Sequence, residues 1–330
     1  MPPKPSIEVV AREAGVSIAT VSRVLNGTKA VAPDTRARVE AAVQRLDYRV
    51  SPLGRGLSTG QSRLLLMLVP DIANPYFAEI VRGAAVVARQ AGYTLLPVDL
   101  EALPDDEACL QLLRSGLGDG VISLVSQQQQ LAWGSAALDR PWVSCSEFQP
   151  GDALVPHVSI DHRLAAAEAV QYLINRGHRR IALVNRDEGY LYARLRREGY
   201  ELALQRAGIA LDRDLLKVTD GISYAAGSEA AAALLSLVDP PSAVFAVSDT
   251  LAIGVIKGFR RGGRRTPEDV AVVGFDDVPI AEVFEPSLTT VAQPMPALGA
   301  AAMEMLLELL AGGAPEHRIL PHRLVVRDSA

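Results

Sequence analysis

The residues best suited to contact nucleic acid lie between positions 17 and 26. Arg23 carries a planar guanidinium that can donate two parallel hydrogen bonds to guanine O6 and N7. Ile18 and Ala19 offer no hydrogen bonds, so they could only contact a thymine methyl or exclude bulk. Short donors suited to phosphate oxygens stand beside them: Ser17, Thr20, Ser22 and Asn26. On the second helix of a helix-turn-helix, the set would form a DNA-reading surface, whereas Arg23 alone, without that context, favours a solvated side chain. The alternative interpretation is a group of helix caps and solvated side chains, and for Ser17 both can hold.

The chain offers no arrangement typical of an enzyme or a metal centre. Asp276 and Asp277 are adjacent carboxylates, but no nucleophile elbow, phosphate loop or further ligand cluster accompanies them. The cysteines, Cys109 and Cys145, have neither metal-ligand nor disulfide spacing, and the five histidines have no ligand spacing. We therefore expect no catalytic residue, no metal and no cofactor.

Three short helices are predicted in the first fifty residues. An apolar pattern at helical spacing runs over residues 7–14, and a second over residues 16–25, with Gly15 between them. Because glycine readily ends a helix in a left-handed turn, the pair predicts a helix-turn-helix. A third helix begins near Pro33, a residue suited to a first helical turn. An all-α domain would then present Arg23 on its second helix.

From residue 63 onward, strand-like apolar runs alternate with helical segments. The predicted strands span residues 64–69, 93–98, 120–125, 142–145 and 158–160, and then 181–184, 215–219, 243–247 and 270–274. The helices between them span residues 77–91, 107–115, 162–176, 194–207, 224–237 and 250–260. This alternation is typical of parallel sheets, and its two series predict two doubly wound α/β lobes. Ligands of such folds bind at the carboxyl ends of strands, here in a cleft between lobes.

Charge is distributed unevenly along the chain. Residues 1–63 contain ten Lys or Arg and five Asp or Glu, whereas the whole chain of 330 residues has a formal net charge of -5. A basic head on an acidic body favours a polyanion as partner of one end. The longest apolar run, Leu64–Val69, is far shorter than the roughly 20 residues that span a bilayer. With no apolar signal segment at the N-terminus, we expect a cytoplasmic protein without a membrane partner.

The basic head is similar to a known family. Residues 7–26 read IEVVAREAGVSIATVSRVLN, which resembles the headpiece of the LacI/GalR family of bacterial transcription regulators. The similarity continues through Thr35-Arg36 and residues 46–48. It implies a helix-turn-helix DNA-binding headpiece over residues 1–50, with Ile18, Ala19 and Arg23 at the base-reading positions.

Residues 51–62 are rich in glycine, serine and proline, which indicates a linker, although a Ser-Pro pair at its start is a helix-start signal. In the family that the head resembles, this stretch is a hinge helix that orders on operator DNA and inserts a leucine into the minor groove. By that resemblance Leu57 is the inserted leucine and Arg55 the neighbouring basic residue. Gly54 and Gly56 each cost a helix about 1 kcal/mol relative to alanine, so a plain tether stays open as the alternative.

The body resembles the family's effector domain, which shares its architecture with periplasmic sugar-binding proteins. The matching motifs are VPDIANPYF at residues 69–77, LINRGHRRI at 173–181, VSD at 247–249, VGFDD at 273–277 and LTTV at 288–291. The resemblance implies an effector-binding and dimerisation domain over residues 63–330. Its N-lobe would comprise residues 63–161 and 291–322, and its C-lobe residues 162–290 and 323–330.

Effector contacts are assigned by the same resemblance. Arg194 matches the arginine that clamps effector hydroxyls or a carboxylate, with a solvated arginine as the alternative. Asp276 follows a strand and could accept two hydroxyl donors. Tyr76 and Phe77 could stack on a ring, and ordinary packing is their alternative. The remaining candidates are Ser126 after the third strand, Ser146 where many members have an aspartate, Ile222 where they have an aromatic wall, and Ser248 in place of an asparagine.

Together these features predict a dimeric, effector-responsive transcription regulator, and most members of this family are repressors. Two headpieces related by a two-fold axis would read a roughly palindromic operator, while a sugar-like or other metabolite would bind between the lobes. The alternatives are a solute-binding protein without DNA function, an enzyme on an α/β scaffold, and a regulator whose pocket binds nothing. The basic helix-turn-helix argues against the first alternative, and the lack of a catalytic constellation argues against the second.

Overall fold

A computed structural model describes residues 5–26, 30–48, 62–126, 129, 133, 140–150 and 155–330. The chain divides into two compact units. The first comprises Met1–Leu64 and Leu117–Asp119, and the second comprises Leu65–Gly116 and Gly120–Ala330. The predicted hinge residues Arg55 and Leu57 lie outside the described residues.

The first unit contains three helices: α1 (Ile7–Ala14), α2 (Ile18–Asn26) and α3 (Pro33–Arg45). Gly15 ends α1 with φ 63°, and its N–H donates to the carbonyls of Ala11 and Arg12, as expected of a left-handed helix end. The buried apolar side chains of all three helices form one small core: Val10, Ala11, Ala14, Val21, Val24, Val39 and Ala42. The helix-turn-helix predicted from the apolar spacing is confirmed.

The second unit is built on two six-stranded sheets with helices between the strands. Its strands are β1 (Leu64–Val69), β2 (Thr94–Asp99), β3 (Gly120–Ser123), β4 (Trp142–Cys145), β5 (His157–Ile160), β6 (Ile181–Arg186), β7 (Leu216–Thr219), β8 (Ala243–Ala246), β9 (Ala271–Asp276), β10 (Thr289–Ala292), β11 (Arg318–Leu320) and β12 (Arg323–Val325). Its helices are α4 (Pro75–Gln90), α5 (Asp106–Arg114), α6 (His162–Asn175), α7 (Leu191–Arg206), α8 (Tyr224–Leu235), α9 (Asp249–Arg261), α10 (Ile280–Val283) and α11 (Met295–Leu310), besides a short 3-10 turn at Arg213–Leu215.

The strand order is β11-β5-β4-β3-β1-β2 in the first sheet and β12-β10-β9-β8-β6-β7 in the second. Pairing is parallel at both sheet centres, where β3 pairs with β4 and β8 pairs with β9, whereas β12 runs antiparallel to β10. The runs that form β1 and β4 are buried almost throughout, as expected of strands covered on both faces. The predicted class, two doubly wound parallel lobes, is confirmed.

The chain crosses between the two sheets three times: after Ile160, after Ala292, and between Leu320 and Arg323. The second crossing therefore follows β10. The sequence pattern does not predict the strands β10, β11 and β12 or the helices α10 and α11. The three strands and α10 are short, and α11 is apolar at most positions.

The lobe built on the first sheet is called the first lobe, and the one built on the second sheet is called the second lobe. Two glycines allow α4 and α11 to pack closely in the first lobe. A methyl group at Gly299 would lie 1.9 Å from the carbonyl oxygen of Ile80, and one at Gly83 would lie 2.0 Å from that of Pro296. Helix α11 thus follows the second crossing back to the first sheet and covers one of its faces.

Candidate functional site

The headpiece presents the predicted DNA-reading residues on the outer surface of α2. Ile18 is 47% exposed, and Ala19 and Arg23 are also exposed. Ser17 Oγ accepts a hydrogen bond from Thr20 N at 3.2 Å and lies 2.9 Å from Thr20 Oγ1, so Ser17 caps the helix. The same hydroxyls stand at the helix N-terminus, where recognition helices approach the DNA.

The second unit contains a cavity of about 550 Å³ at the carboxyl ends of both sets of strands. This volume lies within the usual range for a small-molecule site. The first lobe contributes lining residues that include Asn74, Tyr76, Phe77, Ser146 and Glu147. The second lobe contributes others, among them Arg186, Tyr190, Tyr192, Arg196, Ile222, Ser248 and Asp276. Polar and aromatic side chains from both lobes therefore line one cavity.

In the first lobe, a tight turn after β4 positions two polar side chains. Ser146 has φ 66°, and the N–H of Glu147 donates back to the carbonyl of Cys145 at 2.8 Å. Ser146 Oγ lies 2.6 Å from the hydroxyl of Tyr76, at the start of α4. Burial raises the pKa of Tyr76, so this phenol stays protonated and can donate.

Glu147 connects the first lobe to the second. Its Oε2 accepts from Leu191 N at 2.9 Å and its Oε1 from Tyr192 N at 3.0 Å, the first two residues of α7. The side chain of Tyr190, the residue before α7, makes no capping hydrogen bond. Glu147 therefore satisfies two of the N–H groups that a helix start leaves unpaired. Burial raises the pKa of Glu147 to about 7, although these two hydrogen bonds favour its charged form.

Arg196 is the central cation of the second lobe and is 3% exposed. Its guanidinium carbon lies 3.6 Å from the ring centre of Phe275 and 4.7 Å from that of Tyr192. Nη1 donates to the carbonyl of Val247, and Nη2 lies 3.3 Å from His162 Nδ1. Burial holds the pKa of His162 well below its ordinary value, so the ring is neutral and Nδ1 accepts from Arg196. Arg196 Nε is buried and has no hydrogen-bond partner among the described residues.

Asp276 faces Arg196 from the end of β9, with Oδ1 3.7 Å from Nη1. The same oxygen accepts from Gln293 Nε2 at 2.7 Å, and Gln293 follows β10 at a lobe crossing. Asp276 has φ 122°, a conformation that side chains rarely adopt and that recurs at functional sites. Burial raises its pKa, while the charge of Arg196 opposes the shift. Behind it, Asp249 accepts from Thr290 Oγ1 at 2.5 Å and from Val278 N at 2.9 Å, which ties β10 to the loop after β9.

Two family models and several known proteins match this chain. Residues 6–51 match the family model for bacterial regulatory proteins of the lacI family, and residues 170–330 match that for a periplasmic binding protein-like domain. The HTH-type transcriptional repressor CytR of Escherichia coli (strain K12) is 36% identical over 97% of this chain and 94% of its own length. Catabolite control protein A of Priestia megaterium is 35% identical over 97% of both chains.

Solved structures agree along the whole chain. The lac repressor dimer bound to operator and the anti-inducer ONPF superposes with a TM-score of 0.84 at 27% identity, covering 99% of both chains. A complex of the transcriptional regulator CelR with cellobiose superposes with a TM-score of 0.77 at 32% identity, covering 99% of this chain and 100% of that one. This chain belongs to the lacI family of bacterial regulatory proteins.

Family membership confirms the resemblance identified from the headpiece and body motifs. CytR is named a transcriptional repressor and CelR a transcriptional regulator, which fits the expectation of a non-enzyme. Within the ranges given above, no helix is both long and apolar enough to cross a membrane, and no cluster of three His, Cys, Asp or Glu could hold a metal ion.

The cavity of this lacI-family chain contains six of the eight predicted effector residues: Tyr76, Phe77, Ser146, Ile222, Ser248 and Asp276. Their roles in binding stay predictions. The other two, Arg194 and Ser126, are not among the residues that line the cavity, and their roles in binding also stay predictions. Helix α7 begins at Leu191 rather than Arg194, so Arg196, one turn after Tyr192, is the arginine that faces inward. The hydroxyl of Ser126 is 3.3 Å from Gln129 N and serves a local turn.

Sequence reasoning missed Glu147, Arg196, His162, Gln293 and the tyrosines at 190 and 192. Arg196 had a usable signal, since Tyr192 and Arg196 stand four residues apart on one helix face. Glu147 lies two residues after Cys145, the last residue of the predicted strand β4, close to the position at which parallel sheets carry ligand contacts. Gln293 had no comparable signal, because the strand before it was not assigned.

Proposed function

We propose that this lacI-family chain is a homodimeric transcriptional repressor that binds operator DNA under the control of a small-molecule effector. The observation that carries the proposal is the cavity lined from both lobes, in a chain that also holds a helix-turn-helix. A ligand that contacts Tyr76 and Ser146 on one side and Arg196 and Asp276 on the other favours one lobe arrangement over another. Such differential binding is what allows a ligand to shift a conformational equilibrium.

DNA recognition is assigned to α2. Arg23 would read a guanine edge, Ile18 and Ala19 would contact bases without hydrogen bonds, and the short polar side chains from Ser17 to Asn26 would hold phosphates. Two headpieces in a symmetric dimer would read a roughly palindromic operator. By their place in the sequence, Leu57 would insert into the minor groove and Arg55 would contact the DNA beside it.

Coupling between the two ends would be carried by the lobes. The effector would change the angle between them and thereby the spacing of the two hinges, which decides whether both Leu57 side chains insert. Couplings of this kind amount to about 1–3 kcal/mol. The pocket residues Tyr76, Phe77, Ser146, Ile222, Ser248 and Asp276, with Arg196 in place of Arg194, would form the effector site.

Selection of bound fragments from genomic DNA, followed by titration of the recovered duplex, tests the DNA-binding proposal. Arg23→Ala should weaken specific binding by about 5- to 150-fold, the equivalent of one lost base contact, and relax the preference at one operator position. Arg45→Ala is the matched control, because Arg45 lies on α3 and pairs with Glu13 at 3.4 Å. A wild-type protein that prefers no symmetric duplex over random sequence at moderate salt would overturn the proposal.

A further inference from the structure

One potential anion-binding position in the cavity, the start of α7, is already filled by the chain itself. Helix α7 runs over 16 residues, and a helix start binds anions through its free N–H groups and positive dipole end. The two carboxylate oxygens of Glu147 accept hydrogen bonds from the N–H groups of Leu191 and Tyr192. Since Glu147 is 3% exposed, a phosphate or carboxylate of a ligand could reach these donors only by displacing it.

The two arginines of the cavity use part of their donor capacity within the chain, although Nε of each is buried and has no hydrogen-bond partner among the described residues. Arg196 donates to the carbonyl of Val247 and lies between the rings of Phe275 and Tyr192. Arg186 has its guanidinium carbon 3.5 Å from the ring centre of Tyr190, and its Nε lies 3.6 Å from Asp187. The neutral ring of His162 adds no third cation.

Carboxyl groups outnumber these cations around the cavity. Its lining contains two arginines and five acidic residues: Asp71, Glu101, Glu147, Asp220 and Asp276. Carboxylate oxygens accept hydrogen bonds from hydroxyl and ammonium groups, but they repel anions at short range. Aromatic rings of Tyr76, Phe77, Tyr190 and Tyr192 supply flat apolar surface beside them.

We propose that Glu147 is a specificity-determining residue that occupies the start of α7 and makes the cavity reject anions. The effector is accordingly an uncharged or cationic ring compound that bears hydroxyl or amino groups. Phosphate esters and carboxylic acids are excluded as effectors. The inference deepens the proposed function, because it names the chemical class that the same cavity would accept.

Inorganic phosphate is the probe for the first test. Wild type, Glu147→Ala and the control Glu101→Ala are titrated with phosphate by calorimetry at constant ionic strength. Glu147→Ala opens the start of α7, so it should bind phosphate saturably and at least about tenfold more tightly than wild type. Glu101→Ala removes an exposed carboxyl of the same cavity without opening that helix, and it should gain no phosphate binding.

Folding of each variant is checked by circular dichroism and thermal unfolding. If Glu147→Ala does not fold, Glu147→Ser replaces it, since the shorter side chain also vacates the start of α7 and carries no charge. A folded variant without added phosphate affinity would overturn the role of Glu147, as would equal gains in Glu147→Ala and Glu101→Ala.

A matched panel tests the effector class on wild type: glucose, glucosamine, gluconate and glucose 6-phosphate, with adenosine and adenosine monophosphate. Each compound is scored for a change in the affinity of the selected operator duplex. Only uncharged or amine-bearing members should act, and an effect of a phosphorylated or acidic member would overturn the inference. Failure of the DNA-binding proposal is recognised separately, by the absence of any operator in the genomic selection, whereas the phosphate titration needs no operator.

Discussion

The buried carboxyl of Glu147 should make the stability of the effector domain fall as pH rises. In the unfolded chain this carboxyl titrates near its ordinary value of 4.5, and in the folded chain burial raises its pKa to about 7. The folded state therefore holds a proton that the unfolded state has released between these two values. The contribution of this carboxyl to the free energy of unfolding is fully present below pH 4.5 and is lost progressively as pH rises towards 7.

The size of the effect follows from the two pKa values. One unit of pKa corresponds to about 1.4 kcal/mol, so the gap between 4.5 and about 7 amounts to about 3 kcal/mol. Between pH 5 and pH 8, the contribution of this group to the free energy of unfolding should fall by about 2–3 kcal/mol. The two backbone hydrogen bonds that the charged form keeps in the folded state are already included in the pKa of about 7.

Glu147→Gln isolates this contribution, since glutamine has nearly the same volume and does not titrate. The free energy of unfolding is measured with urea from pH 5 to pH 8 for wild type, Glu147→Gln and the exposed control Glu101→Gln. The neutral, buried His162 acts in the opposite direction at acid pH. The informative quantity is therefore the difference between wild type and Glu147→Gln, which should move by about 2–3 kcal/mol in favour of the variant as pH rises. Parallel profiles for these two proteins would refute the reasoning.

Three further changes test the cavity and the packing around it. Arg196→Lys should weaken binding of the effector found in the panel by about ten- to hundredfold, because a lysine cannot keep the planar, stacked donor array. Arg194→Lys is the control and should alter the Kd of the same effector by less than about twofold in calorimetry. Gly299→Ala should lower the free energy of unfolding, measured with urea, by at least about 2 kcal/mol, because the new methyl group meets the carbonyl of Ile80. The control Glu308→Ala, at an exposed position of the same helix, should change this free energy by less than about 0.5 kcal/mol. Tyr200→Phe should cost about 1 kcal/mol in the same assay, because the phenol donates to the carbonyl of Ile181 at 2.8 Å, and an unchanged midpoint would contradict that role.

The sequence by itself determined the elements whose signal is local. The glycine at position 15 and the apolar spacing around it predict the helix-turn-helix, and the exposed face of α2 follows from that spacing. Alternating apolar runs predict the two parallel sheets, and most predicted strand bounds lie within one or two residues of those in the structure. These patterns succeed because burial of one face constrains residue types at a fixed period along the chain.

Only the tertiary structure decided which side chains meet in the cavity. The rotational phase of α7 depends on its start at Leu191, and that phase separates the inward Arg196 from Arg194. Glu147 caps a helix that begins 44 residues later in the other lobe. Gln293 reaches Asp276 across a lobe crossing. The physical reason is that these contacts join elements distant in sequence, and side-chain direction there is set by packing between lobes rather than by any local period.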